Sequence, residues 1–526
     1  MKFAVKDNYK KIIFAILLYA LLFVTFLFNI YATDDFTTRY DYGSFLGCLK
    51  SSIHMGNGRL LGNFILYVFG FEPLFRIVLK PMILTAIILL CEYVFNVKEL
   101  WLKMVVSLLI IMPSPGFFAN CYISNPCFIN YVAPLLNLLL CLAIIKLSPK
   151  NKLVKVLLCV AIFVCATCAQ LYSENTSVIF LILACFMLVY NAVNKKDCLM
   201  YWMLFGGALV GIIGMLIIPK VVSYVYTDMS GYRGFVLNIP FAVGVVAKFS
   251  DFFSTAALWI LLFGVLQIYL LKKEAMNDKL FTVHVIIATT YPGLCLLYKF
   301  TRTPADKVNS GLPLFLTIML LLFFLNAAVI FMKFLKEKES RFFSVLMLVL
   351  IGMSVGMFMF ININGYRVFY LPLFIFICLN LYIFNYLKRN YSEIQIILKR
   401  SKVKNSACAL LMCCFAIMLP LQIIQEYDVQ VIRQEYVEEK ILNGDKEIFL
   451  PKIPNKNLVR DIYMDFYNSY VMENYPDVKV YFVDIEDWEE NDRYTMLQNS
   501  PVASITYAIE HLDYGNKKTS LIQKNT

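Results

Sequence analysis

The chain has 526 residues and a formal net charge of +12, with 60% hydrophobic and only 16% charged residues. Soluble globular chains carry roughly 25% charge, and the mean hydropathy is +0.68, so a soluble domain is excluded. At about 20 apolar residues per crossing, the apolar runs supply on the order of a dozen spans. The sequence predicts a polytopic α-helical membrane protein of about thirteen transmembrane helices, N-terminus in and C-terminus out, with a small C-terminal extracytoplasmic α/β domain.

In chain order, spans are predicted at Ile12–Tyr31, Leu74–Phe95, Trp101–Met112, Phe128–Lys146, Leu153–Leu171, Ser177–Val193, Leu199–Ile218, Phe252–Leu271, Leu280–Tyr298, Leu312–Met332, Phe342–Phe360, Val368–Leu387 and Ala407–Ile424. The first follows Lys2, Lys6, Lys10 and Lys11 and is too long for a signal-peptide core, so it reads as an uncleaved anchor. Lysine and arginine gather in alternate loops: Lys98 and Lys103, Lys146 to Lys155, Lys195 and Lys196, Lys272 to Lys279, Lys333 to Arg341, and Lys388 to Lys404. Basic short loops stay in the cytoplasm, which places the N-terminus inside. The basic balance therefore belongs to these loops and not to nucleic-acid binding.

Leu60–Phe71 is apolar but too short to cross about 30 Å of hydrocarbon. It reads as a helix resting in the outer interface. The first extracytoplasmic loop then runs over 32–73, with Asp41–Met55 as a second interfacial helix. From Glu426 onward, 19 acidic against 11 basic residues give a net charge of −8, leaving +20 for the remainder. The division expected is a membrane domain over 1–425 and an exterior domain over 426–526, with strands at Glu447–Leu450, Val478–Val483 and Ser504–Ile509 and helices at Gln434–Leu442 and Leu458–Met472.

Candidate chemistry collects in the outer loops. Carboxylates at a membrane boundary are costly unless solvated, paired or used. Asp34 and Asp35 stand directly past the first span, where the bland reading is a helix exit into water. Two adjacent like charges raise one pKa and suit proton abstraction, which moves the reading toward general-base chemistry. Glu174 reads either as part of a helix start beside Ser173 and Asn175 or as a site residue. Arg59, Arg302 and Arg367 read as snorkelling anchors or, if they converge, as a grip on phosphate. Arg76, Lys80 and Glu92 share one span, near its ends or paired. Most of the 15 cysteines sit in apolar runs as small hydrophobes. A Cys121–Cys127 disulfide stays open. His54, His284 and His511 show no metal or triad spacing, so no metal site is assigned and no cofactor is expected.

Thr33-Asp34-Asp35-Phe36, Asn57-Gly58-Arg59 and Asn130-Tyr131-Val132-Ala133-Pro134, set in this layout, resemble the C-type (GT-C) superfamily of integral-membrane glycosyltransferases. The motifs are similar to those of an uncharacterised bacterial polytopic family. The resemblance covers the whole chain in layout and rests on short motifs. It implies transfer of a hexosyl or pentosyl unit from a polyprenyl-phosphate donor to a glycan, lipid or protein acceptor on the outer face of a bacterial cytoplasmic membrane. It implies inversion and independence of metal. Asp35 or Asp34 would be the base, Arg367, Arg302 and Arg59 would hold the donor phosphate, and Glu174, Asn130 and Tyr131 would line the substrate site. Two alternatives remain: a polymerase or ligase of lipid-linked oligosaccharides, and a transporter or flippase of envelope lipids.

Overall fold

The computed structural model describes residues 2–28, 46–47, 59–69, 74–113, 117–147, 149, 151–217, 239–301, 312–360, 366–399, 402–452 and 475–511. Among these residues, eight helices are long and apolar enough to cross a membrane, or nine if one bent pair counts as a span. The chain is a multi-pass helical membrane protein. Each of the thirteen apolar segments overlaps a helix, including the shorter apolar stretches Leu100–Ile111, Leu199–Met215 and Phe281–Leu297. Helix limits follow local chemistry. The Asn151 side chain accepts from the Leu153 and Val154 amides and starts Lys152–Gln170, whereas Asn96, at φ 51°, turns the chain after Lys80–Val94.

Helix Leu199–Ile212 lies against Lys152–Gln170 so closely that a Cβ at Gly207 would meet the Phe163 carbonyl and one at Gly211 the Gln170 side chain. Small residues four apart permit this approach, which in lipid substitutes for hydrophobic drive. The expected span Phe252–Leu271 is different in the structure. Helix Ile239–Ser254 ends, and Ala257–Glu274 begins after an 85° bend. Ser254 Oγ donates to the Asp251 carbonyl at 2.7 Å and Thr255 Oγ1 to the Phe252 carbonyl at 2.6 Å, which caps the first helix where no proline marks a break.

Ion pairs tie the basic loops together at one end of the bundle. Lys388 meets Glu99 at 2.6 Å, Lys273 meets Glu393 at 2.6 Å, Lys336 meets Glu274 at 2.7 Å and Lys196 meets Glu339 at 3.1 Å, while Arg389 pairs with Glu337. Exposed pairs of this kind contribute little stability singly. Their value here is geometric, because they put all these loops on one face.

Helix Lys402–Leu442 has 41 residues and spans ~61 Å, about twice the hydrocarbon thickness. The expected domain boundary at 425/426 falls within it. Its far half packs on a two-stranded parallel sheet, β1 (Glu447–Pro451) and β2 (Lys479–Val483), in register Glu447 with Lys479. Ile448, Leu450, Val480, Trp488 and Leu497 join Ile432 and Val437 in a separate apolar core. Both strands stand where expected. The third expected strand is instead helix Pro501–Glu510, begun by the Ser500 side chain accepting from Ala503 N and by Pro501 in the first turn. Gln434–Leu442 is helical as expected; Leu458–Met472 and most of Asp41–Met55 lie outside the described residues.

Candidate functional site

At the end of the bundle opposite the basic loops, four segments distant in sequence meet. The helix predicted from Leu60 forms over Leu60–Phe69, and its Leu61 and Gly62 amides both donate to the Leu171 carbonyl, at 3.1 and 3.2 Å. That contact sets Arg59 against the start of helix Glu174–Val193. Arg59 Nη2 reaches Glu174 Oε2 at 3.1 Å and Nε reaches the same oxygen at 3.3 Å. The guanidinium also lies 5.7 Å from the centre of the Tyr131 ring.

Glu174 occupies the first helical turn, where the helix dipole favours an anion, so it belongs to a helix start, and from there it pairs with Arg59. Burial alone would lower the Arg59 pKa. The Glu174 carboxylate and the Tyr131 hydroxyl more than reverse this and hold it above the usual arginine range.

Asn130 is buried next to this pair. Its Oδ1 has no hydrogen-bond partner among the described residues and aims at Gly62, where a Cβ would overlap it. Gly62→Ala is therefore expected to destabilise by about 1–3 kcal/mol through overpacking, despite the better helix propensity of alanine. The melting temperature of the purified protein checks this; a rise would mean that Asn130 moves aside freely.

Arg367 sits in a 3₁₀ turn, Tyr366–Phe369, and its Nη1 donates to Cys127 Sγ at 3.3 Å. Cys121 and Cys127 are both buried free thiols, so the disulfide left open by the sequence is absent. Burial and the neighbouring Cys127 push the Cys121 thiol up, and the Arg367 charge offsets only part of this, so it is no thiolate nucleophile. Asn175, beside Glu174, donates to Ser354 Oγ at 3.1 Å and to the Val368 carbonyl at 3.5 Å, which ties the Arg367 turn to the Glu174 helix.

Two cations were not singled out by the sequence as site residues. Lys80 is fully buried; its ammonium donates to the Ile123 carbonyl at 2.6 Å and to Asn125 Oδ1 at 3.0 Å. It also lies 5.0 and 5.4 Å from the Phe26 and Phe128 ring centres. Arg76, one turn earlier, is 1% exposed. Lys80 thereby fixes the segment that carries Cys127, Asn130 and Tyr131 against the first two long helices. Its signal was a charge one turn into an apolar run, which by default marks function. Glu92, from the same helix, pairs with Lys103 at 2.5 Å at the opposite end.

The structure thus brings Arg59, Glu174, Asn130 and Tyr131 together and sets Arg367 on Cys127 of the same segment. Asp34, Asp35 and Arg302 lie outside the described residues. Among the described residues, no group of three or more His, Cys, Asp or Glu side chains is arranged to hold a metal ion. No protein-family model, curated protein or solved structure matches the chain.

Proposed function

We propose that the protein is a glycosyltransferase that moves a sugar from a polyprenyl-phosphate donor to a cell-envelope acceptor at the outer face of a bacterial cytoplasmic membrane. The observation that carries this reading is the gathering of Arg59, Arg367 and Lys80 with Glu174, Asn130 and Tyr131 at one end of the bundle. Buried guanidinium groups suit a lipid-linked phosphate, which accepts paired hydrogen bonds. Asp34 and Asp35, in the loop that leads to Arg59, supply the base. One of them takes the acceptor hydroxyl proton as the acceptor oxygen bonds to the anomeric carbon. The bond from that carbon to the phosphate oxygen breaks, the configuration inverts, and polyprenyl phosphate leaves against the arginines.

This reading takes the chain to cross thirteen times, N-terminus in and C-terminus out, with an exterior domain after the last span. The single end that gathers every basic loop supports that orientation. Cysteines introduced at Asn443 and Lys196 in a cysteine-free background are expected to react with an impermeant thiol reagent in intact cells at 443 and not at 196. The reverse labelling would overturn the orientation. For the activity, membranes containing the protein are supplied with radiolabelled polyprenyl-phosphate hexoses and pentoses. Label should pass to a non-prenyl acceptor, and inactivity with every donor sugar contradicts the reading.

One observation favours the transport alternative. His284, buried inside a helix pair, contacts Asn326 Oδ1 through Nδ1 at 2.6 Å, and its Nε2 has no partner among the described residues. Intramembrane ionisable groups mark ion paths in transporters. Transport that is lost with His284→Leu while sugar transfer is undetectable would favour that reading.

A further inference from the structure

Helix Pro501–Glu510 touches both apolar cores of the chain. Ile505, Tyr507 and Ala508 pack against the core of the helical bundle, whereas Ala503, with Tyr507 again, packs against the separate core around the sheet. Polar contacts fasten it to the far half of helix Lys402–Leu442. The Ser504 hydroxyl donates to Asp428 Oδ2, and the Tyr427 hydroxyl donates at 2.7 Å to the carbonyl of His511, directly after the helix. The Tyr427 ring in turn meets the Phe28 ring edge-on at 5.9 Å, at the end of the first helix. Two turns beyond Asp428, Glu435 accepts from the Tyr507 hydroxyl at 3.1 Å, pairs with Arg493 at 2.5 Å and lies 3.4 Å from His511 Nε2.

Asp428 stands past the last predicted span, which ends at Ile424. It is fully buried, and its Oδ1 has no hydrogen-bond partner among the described residues. The ionisable groups around it are Tyr494 of helix Asn491–Asn499 and Tyr507, with Glu426 and Glu435 on its own helix. Arg493 and His511 lie against Glu435, and Arg433 lies 6.0 Å from the Phe482 ring centre. Burial pushes the Asp428 carboxyl up from 3.8 to about 7, and the Ser504 hydroxyl offsets only part of this. A carboxyl raised in the packed state stabilises that state while it is protonated. As the pH rises through about 7, the packed state must carry a buried charge, and its stability falls. We propose that helix Pro501–Glu510 is a proton-operated joint, which holds the sheet-bearing unit to the bundle while Asp428 is protonated and releases it when Asp428 ionises. The joint does not depend on sugar transfer.

The test follows amide hydrogen exchange of Pro501–Glu510 in the full-length protein in a neutral detergent, each rate divided by that of the unfolded segment at the same pH. Protection is expected to fall by about 30-fold between about pH 5.5 and about pH 8.5, the factor that follows from a carboxyl moved from 3.8 to about 7. Asp428→Asn keeps the shape and cannot ionise, so its protection should be the same at both pH values, while His511→Gln should keep the dependence. Ser504→Ala removes the donor to Oδ2 and should move the midpoint of the loss to higher pH. Protection that does not vary with pH in the unaltered protein overturns the proposal. So does a dependence that survives Asp428→Asn or vanishes with His511→Gln. If Asp428→Asn does not fold, the Ser504→Ala midpoint decides, and an unmoved midpoint overturns the proposal.

Discussion

Replacing Asp34 and Asp35 together by asparagine is expected to abolish sugar transfer while membrane levels of the protein stay intact. Asparagine keeps the shape of the carboxylate and loses only the ability to take a proton. General-base catalysis contributes roughly 10²–10⁴-fold, so the double variant should fall by at least that factor. The single variants separate the roles: the aspartate that is the base gives most of the loss alone, and its neighbour a small one. The amount of product formed by membranes carrying equal protein, measured by immunoblot, checks this. Normal product from the double variant would remove the base assignment.

Breaking the Arg59–Glu174 pair is the second large effect. Truncating one partner of a buried pair costs about 3–5 kcal/mol, whereas exposed pairs contribute about 0–1 kcal/mol. With side chains 15% and 23% exposed, Glu174→Gln should cost about 2 kcal/mol, a shift read by thermal melting. Transfer should drop by about 100-fold, since displacement of a binding group by about 1 Å has that effect. The exchanged pair, Arg59→Glu with Glu174→Arg, distinguishes structure from function. It should recover most of the stability while transfer stays low, because the cation then stands on the wrong element to meet the donor phosphate. Recovery of both would reduce the pair to a strut between the Leu60–Phe69 helix and the Glu174–Val193 helix.

The apolar runs were legible because a membrane span is a statement of composition over about 20 residues, and each run overlaps a helix. The 85° bend between Ser254 and Ala257 was not legible, because side chains of serine and threonine cap the first helix where neither Pro nor Gly interrupts the pattern. Ser504–Ile509 alternates like a strand, yet the Ser500 cap and Pro501 set a helix start that the alternation does not outweigh. Ile448 and Leu450 are buried while Glu447 and Phe449 are exposed, the alternation of a strand with one covered face, and β1 and β2 stand where the strand-like runs were read.

The site was legible only in part, for a physical reason. Arg59 and Glu174 each stood out as charges beside apolar runs, but they are 115 residues apart, and nothing local in sequence says that Leu61 and Gly62 bind the Leu171 carbonyl and bring the two together. Lys80 was visible as a charge inside a run, while its partners, the Ile123 carbonyl and Asn125, belong to a segment with no charged residue to announce it.

The most direct measurement compares cell-surface glycans and polyprenyl-linked sugars in the source organism with and without the gene, and with the gene carrying Asp34→Asn and Asp35→Asn. Deletion is expected to remove one sugar from an envelope glycan, lipid or protein, and the matching polyprenyl-phosphate sugar to accumulate. The wild-type gene should reverse both changes and the double variant neither. Unchanged glycans together with an unchanged polyprenyl-linked pool would contradict the proposed transfer.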